Sequence, residues 1–424
     1  MKRENQPLSF PDQLPEQREQ RVVGPFYTSA GAINHQTEEE EEETKKKSKR
    51  RRRRKRSVTS VILLLFCFSL VAQKSAVRTQ NGDIQVEVLA EGLEYPWGMA
   101  FLPDDRLLFS EKRVGTLRIL DTEGNVSEPL QGTPEVFGVD QGGMLDVALH
   151  PDFENNKTIF FTFAEPRPGD STATTALAMA TLGEESIQDF KVIFRMQPDM
   201  DGAKHFGGRI IISPDNYLFV TLAERFKFDP AQDLSNTLGT IVRLNLDGSV
   251  PEDNPFADQS DAAKEIWSYG HRNIESAAFD PQTGNLWVAE MGPMGGDEFQ
   301  QPKAGKNYGW PLVSWGDNYD GSKIPTPDNE PELEDAVIKW TPTISPSGMI
   351  FYTAGMFPQW ENHALIGGLT STGLVRVKVN GQQASEVERI PLGTRIRDVE
   401  QARDGSVYAL TDEENGKILK LTTM

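Results

Sequence analysis

GGRIIISPDNYLFVTLAE, from Gly207 to Glu224, is an apolar run, a Pro-Asp-Asn turn and a second run of β-branched and aromatic residues. Two strand-like runs about a short polar turn form a β-hairpin signature. The phrase recurs as WGMAFLPDDRLLFSE (Trp97 to Glu111), LDVALHPDFENNKTIFFTFAE (Leu145 to Glu165) and ESAAFDPQTGNLWVAE (Glu275 to Glu290). Two more copies are SGMIFYTAGMFPQWENHALIGGL (Ser347 to Leu369) and IRDVEQARDGSVYALTDE (Ile396 to Glu413). No helical period of apolar residues separates the copies. Six recurrences, roughly 50 to 70 residues apart, fit propeller blades enlarged by insertions. The reading is an all-β chain whose residues 81–424 form a six-bladed β-propeller. DIQVEVLAEGL (Asp83 to Leu93) and GKILKLTT (Gly416 to Thr423) are strand-like at the two ends of this body. Pairing them in one blade closes the ring and removes its free edges. A two-sheet sandwich is the structural alternative, but it leaves a six-fold recurrence unexplained.

Charge divides the chain. Residues 1–80 hold 17 Lys and Arg against 10 Asp and Glu, whereas residues 81–424 hold 27 against 53. A body this acidic argues against nucleic acid as a partner, since phosphate binding needs a surplus of surface Lys and Arg. An anionic small molecule would need a local cationic pocket inside a negative field. The single cysteine, Cys67, lies outside the body, which excludes a disulfide or thiolate metal site there.

Residues 1–56 are polar, ending in six glutamates (Glu38 to Glu43) and eleven basic residues within Lys45 to Arg56. Like-charge blocks of this length repel themselves and read as a disordered extension. The basic block precedes the apolar SVTSVILLLFCFSLVA (Ser57 to Ala72), so residues 57–76 read as an export signal or an uncleaved membrane anchor. Export implies a periplasmic or secreted protein.

Loops on a rigid scaffold carry most chemistry, and five glycine-flanked polar clusters interrupt the strands. In KHFGGR, His205 sits before two glycines that permit close ligand approach, and a neutral histidine there can act as a general base. A lone histidine is more often structural. Adjacent Lys204 should disfavour its imidazolium form. Arg272 and Asn273 follow the strand EIWSYG, and Arg395 and Arg397 alternate, so the latter two share one face. Three arginines at the inner ends of blades point to a carboxylate or phosphate ligand, and Gln141 in DQGGML can add a neutral hydrogen bond. In MGPMGGDE, the Gly292 and Pro293 carbonyls with the Asp297 and Glu298 carboxylates offer oxygen ligands of the type calcium takes. His150, His271 and His363 read as structural. No glycine-rich dinucleotide fingerprint, P-loop, His-Glu-x-x-His or Gly-x-Ser-x-Gly element is present.

The order QGGMLDVALHPDF, HFGGR, GTIVRLNLDGSVPEDNPF, EIWSYGHRN, GPMGGDE, KNYGWP and RIRDV resembles the soluble aldose sugar dehydrogenases of the glucose/sorbosone dehydrogenase family, across residues 84–422. The resemblance implies a six-bladed propeller that uses pyrroloquinoline quinone (PQQ) and calcium to oxidise the anomeric hydroxyl of an aldose to a lactone. Electrons then pass to an external acceptor, and the protein is a monomer or homodimer. By the same resemblance His205 is the base, and Gln141, Arg272, Asn273, Arg395 and Arg397 contact the cofactor. Gly292 and Pro293 ligate its calcium, while Glu298 and the Tyr308 carbonyl match a second, structural calcium site. One cofactor-binding lysine of the family is Thr370 here, in LIGGLTST, and Lys204 stands where relatives have Asn or Asp. Lys204 is therefore expected to bind the cofactor in its place. Met291 and NIES (Asn273 to Ser276) also depart from the family pattern.

Two rival functions remain. A calcium-dependent lactonase would need a central metal held by several carboxylates, whereas these clusters are dominated by arginines. A non-catalytic propeller binding a sugar or a protein gains from Thr370 and loses from the intact His205, Arg272, Arg395 and Arg397.

Overall fold

The computed structural model describes residues 74–169 and 171–424. The expectations for residues 1–56 and for 57–73 lie outside the described residues. Residues 74–76 belong to a strand, Lys74–Thr79. Among the described residues no helix is long and apolar enough to cross a membrane.

The body is a six-bladed β-propeller with antiparallel blades. Blade I holds Pro96–Phe101, Leu107–Glu111 and Thr116–Leu120. Blade II contains Met144–Leu149, Thr158–Pro166, Thr172–Leu182 and Ile187–Arg195, with the short Met200–Asp201 at its edge. Blade III comprises Gly207–Ile212, Tyr217–Leu222, Thr240–Asn245 and Ile266–Tyr269, and blade IV Ile274–Phe279, Leu286–Glu290, Asp297–Gln300 and Ile338–Trp340. Blade V runs through Pro346–Phe351, His363–Gly368, Gly373–Asn380 and Gln383–Pro391. Blade VI joins the two ends of the body, Ile396–Gln401, Val407–Thr411 and Gly416–Thr423 being followed by Gly82–Leu93 and then Lys74–Thr79. The expected closure is present, with Ile84 opposite Thr423 and Leu93 opposite Gly416. It leaves no unpaired edge where the ends meet.

Each sequence repeat supplies the first two strands of one blade, and its polar turn becomes the hairpin between them. Alternating apolar side chains pack between neighbouring blades: Phe161, Ile159 and Ala178 of blade II against Leu108 and Leu117 of blade I, and Trp287 and Phe299 of blade IV against Met349 and Val375 of blade V.

Blades place the site through one repeated irregularity. In every blade the register between the first and second strands shifts within the opening residues of the first strand, at Pro96/Met99, Met144/Val147, Gly207/Ile210, Ile274/Ser276, Pro346/Met349 and Ile396/Asp398. A bulge bends its strand and re-aims side chains. Six such bends, on innermost strands that touch in a ring, turn the segments just before them toward one end of the axis.

Candidate functional site

Below that end the axis is plugged by Arg209, only 4% exposed. It donates to the Glu275 carbonyl at 2.9 Å, Asp398 Oδ1 at 2.9 Å, Asp146 Oδ1 at 3.2 Å and the Arg397 carbonyl at 2.8 Å. Its guanidinium carbon lies 4.0 Å from the centre of the Trp97 ring. Residues of blades I, II, III, IV and VI thus meet on one side chain.

His205 precedes the bulge of blade III, in the left-handed region at φ 52°. It is 4% exposed, and Nδ1 lies 2.9 Å from Oε1 of fully buried Glu224. The other oxygen of Glu224 accepts from the Lys227 N–H at 2.7 Å, which fixes the carboxylate. Burial pushes the His205 pKa below its ordinary value; the Glu224 hydrogen bond opposes this and the Arg272 charge adds to it. The imidazole is therefore held neutral by desolvation and Arg272. Lys204, expected to do this, is exposed, with Nζ 5.2 Å from the Phe226 ring centre. The phenyl ring of Phe226 meets His205 edge to face at 5.0 Å.

Two residues hold the His205 loop. Gln141 accepts from the His205 N–H at 2.7 Å. Buried Arg225 donates to the carbonyls of Lys204 (3.0 Å), Ala173 (2.7 Å) and Gly202, and stacks on Phe206 with 3.8 Å between its guanidinium carbon and the ring centre.

The expected arginines gather at the same end. Arg272 donates to the Met291 and Gly292 carbonyls at 2.9 and 3.0 Å and to the Tyr319 hydroxyl at 3.0 Å, and its side chain makes no carboxylate contact among the described residues. Its Nε is buried without a partner, as is Oδ1 of neighbouring Asn273. Arg395 and Arg397 share Asp412, the first donating to Oδ2 at 2.7 Å and the second lying 3.1 Å from Oδ1, and Arg397 also pairs with Glu275. Against the effect of burial, the charges of Arg397, then Lys112 and Arg395, hold the Asp412 carboxyl well below its ordinary range.

Asp297, expected to offer a carboxylate to a metal, spends both oxygens on backbone N–H groups of Gly292 (2.9 Å), Ile344 (2.8 Å) and Ser345 (2.6 Å). Pro293 is buried. Glu298 and Tyr308 border a cavity of about 10 Å³ with Glu290 and Gly292, room for one water-sized sphere. Burial and the neighbouring Glu290 push the Glu298 carboxyl well above its ordinary value. Among the described residues no three His, Cys, Asp or Glu side chains converge as a metal-ligand set, so a cation here would depend on carbonyl oxygens as well. A roomier cavity, about 640 Å³, lies instead among the far hairpin turns of blades I and VI and contains none of the expected site residues.

Thr370 is exposed, its hydroxyl at 3.0 Å from the Thr343 carbonyl and 3.1 Å from Ser345 Oγ. The other histidines have structural partners: His271 lies between Ser268 Oγ (2.9 Å) and Glu290 (3.1 Å), His150 accepts from the Asp152 N–H at 2.9 Å, and His363 meets Arg376 at 2.8 Å.

Glu224, Glu290 and Asp412 are not among the expected residues, although the sequence carries a signal for them. The second run of five repeats ends on an acid, at Glu111, Glu165, Glu224, Glu290 and Asp412, whereas blade V has Leu369 and Thr370 there. Each acid closes its blade beside the bulge of the first strand, and three of them hold His205, the His271-Arg272 pair and the two arginines of blade VI.

Comparison with known proteins agrees with this arrangement. A family model described as Glucose / Sorbosone dehydrogenase matches residues 93–420. The aldose sugar dehydrogenase YliI of Escherichia coli is 41% identical over 363 residues, 84% of this chain and 98% of that protein. Quinoprotein glucose dehydrogenase B of Acinetobacter calcoaceticus is 28% identical, over 80% of this chain and 87% of its own length. The apo-form crystal structure of the E. coli soluble aldose sugar dehydrogenase superposes with a TM-score of 0.76 at 40% identity, covering 80% of this chain and all of that one. A PQQ-bound aldose sugar dehydrogenase of Streptomyces coelicolor superposes at 0.66 with 27% identity, covering 83% and 98% of the two chains. Family model, relatives and fold agree, and the chain belongs to the glucose/sorbosone dehydrogenase family.

Proposed function

We propose that this chain is a PQQ- and calcium-dependent dehydrogenase that oxidises the anomeric hydroxyl of an aldose to the lactone. The observation that carries the reading is the neutral, Glu224-anchored His205 at the same end of the axis as Arg272, Arg395 and Arg397. The residues fit a polyanionic planar cofactor: among the described residues Arg272 has no carboxylate partner and its Nε and the Asn273 Oδ1 are orphaned, and the axis below is sealed by Arg209. Arg272, Asn273, Arg395 and Arg397 would hold its carboxylates and carbonyls, with Gln141 beside it. Bound there, the quinone supplies the hydride acceptor that no side chain can provide.

The base chemistry belongs to this chain. With Nδ1 hydrogen-bonded to Glu224, the opposite nitrogen, Nε2, carries the lone pair that takes the sugar's hydroxyl proton. Glu224 fixes that tautomer and stabilises the imidazolium that forms. Calcium is assigned to the carbonyls of Gly292 and Pro293, and a second ion to Glu298 and the Tyr308 carbonyl. Glu298, which borders the one-sphere cavity and lies near the negative charge of Glu290, supports a cation there. A lactonase reading loses support because axial Asp146 and Asp398 are both committed to Arg209. An external acceptor would take the electrons in the end, and export through the apolar run would place the enzyme in the periplasm or outside the cell.

The test is reduction of an artificial electron acceptor on a panel of aldoses with calcium, with and without added PQQ. Turnover that needs PQQ and disappears in His205→Ala supports the reading. No turnover together with no PQQ binding overturns it in favour of a sugar- or protein-binding propeller.

A further inference from the structure

We propose that Lys112 is the cation that completes the cofactor pocket where Thr370 has removed one, contacting an anionic group of the bound ligand. The inference rests on the cofactor reading above. Neither alternative position suits the task. Thr370 spends its hydroxyl on Thr343 and Ser345, and Lys204 is exposed over the face of Phe226.

Lys112 directly follows Glu111, the acid that ends the second strand of blade I, so it leaves the scaffold at the same end of the axis as His205 and Arg272. Its backbone is locked on both sides: its N–H donates to the Tyr95 carbonyl at 3.1 Å, and its carbonyl accepts from the Met144 N–H at 2.9 Å. The stem crosses Gly143 so closely that a Cβ there would lie 2.8 Å from Lys112 Cγ and 2.0 Å from the Lys112 carbonyl oxygen. Gly143 belongs to the same DQGGML segment as Gln141, which fastens the backbone of His205. Glycine at this position therefore lets a lysine reach past the loop that holds the base.

The residue is only 6% exposed, which is uncommon for lysine without an ionic partner. Its ammonium makes no hydrogen bond or salt bridge among the described residues, and the Tyr95 ring centre is 5.3 Å away. The charged groups around it are Arg397, Asp412, Glu275 and Arg113. Both acids are already engaged, Asp412 by Arg395 and Arg397 and Glu275 by Arg397 and Asn273. Three N–H donors in a desolvated place, with the nearby acids taken, make an incomplete arrangement that an anion would complete. Burial, and then the Arg397 charge, lower the amine to about 8, so a negative group brought against it relieves both effects.

The experiment is titration of the sugar-free protein with PQQ in the presence of calcium, followed by quenching of tryptophan fluorescence. Lys112→Met should raise the Kd by about tenfold or more, the loss expected for one charged hydrogen bond. Lys204→Ala should change it by less than about twofold, the scale of an exposed charge. Thr370→Lys placed in the Lys112→Met protein should recover most of the affinity, and this rescue also distinguishes a lost contact from a damaged fold. An unchanged Kd in Lys112→Met, or a tenfold rise in Lys204→Ala instead, overturns the inference while leaving the cofactor reading intact. Wild-type protein that does not quench at all overturns the cofactor reading itself, and this inference with it.

Discussion

Glu224 Oε1 lies 2.9 Å from His205 Nδ1, and the pair is closed by the two ends of one hairpin, the histidine just before its first strand and the glutamate just after its second. Since Glu224 is fully buried and also accepts from the Lys227 N–H, it has little freedom to turn away. Glu224→Gln keeps the size of the side chain and removes its charge. The carboxylate favours the imidazolium, so its loss lowers the His205 pKa further. We expect kcat to fall by about tenfold to a hundredfold, as for other partners that orient a functional histidine. The acid limb of the kcat profile, where the base becomes protonated, should move to lower pH. A profile that stays in place while kcat falls would assign Glu224 a purely steric role.

Arg225 tests whether the loop itself is positioned. Its guanidinium is donated to three carbonyls around the His205 segment and stacked on Phe206. Arg225→Met preserves much of the stacking volume and removes the donors. Misplacing a base by about 1 Å costs on the order of a hundredfold, so kcat should drop strongly while PQQ affinity, which the proposed function assigns mainly to residues on other blades, changes little. Equal losses in both would show that Arg225 supports the whole pocket.

Far from the base, the other mouth of the axis carries a pH dependence. Burial, and then neighbouring Asp398, push the Glu400 carboxyl up from 4.5 to about 8. An acid whose folded pKa is raised is protonated more readily when folded, so its contribution is fully present below pH 4.5 and is lost as pH rises toward 8. Glu400→Gln removes the ionisation. The variant should melt close to wild type at pH 5 and about 2 °C or more above it at pH 8. Equal melting shifts at the two pH values would mean that Glu400 ionises as a solvated carboxylate.

The propeller was legible because a hairpin is a local object. Two apolar runs and a turn specify it within about 18 residues, and six copies imply a ring, as does the match between Asp83–Leu93 and Gly416–Thr423. Charged residues near glycines at the starts of the first strands were legible for the same reason. What could not be read was which partner each charge takes. Lys204 adjoins His205 in sequence, yet its side chain turns out over Phe226, and the cation that acts on the imidazole is Arg272, from the next blade. Asp297 looks like a ligand in GGDE, but three N–H groups, two of them some 50 residues away in sequence, claim its oxygens. Neighbours in sequence diverge at a bulge, while residues from different blades converge on the axis. Lys112, in SEKRVG, has no motif around it, and only the closure of blade I against Gly143 makes it notable.

Arg209 is where that convergence can be measured as stability. Asp146 and Asp398 both pair with its Nη1 atom, and the second oxygens of these acids accept from the Ile210 and Met99 N–H groups at 2.9 Å. All three side chains are nearly inaccessible. Arg209→Met leaves two buried carboxylates without a counterion, a change that costs about 3–5 kcal/mol when one partner of a buried pair is removed. Adding Asp398→Asn to that variant removes one of the stranded charges and should return part of the loss, although each change alone destabilises. Denaturant unfolding with an unchanged m-value would measure both terms and their coupling. A loss below about 1 kcal/mol for Arg209→Met, the range of an exposed pair, would mean that solvent reaches the axis and that the blades do not depend on this residue to meet there.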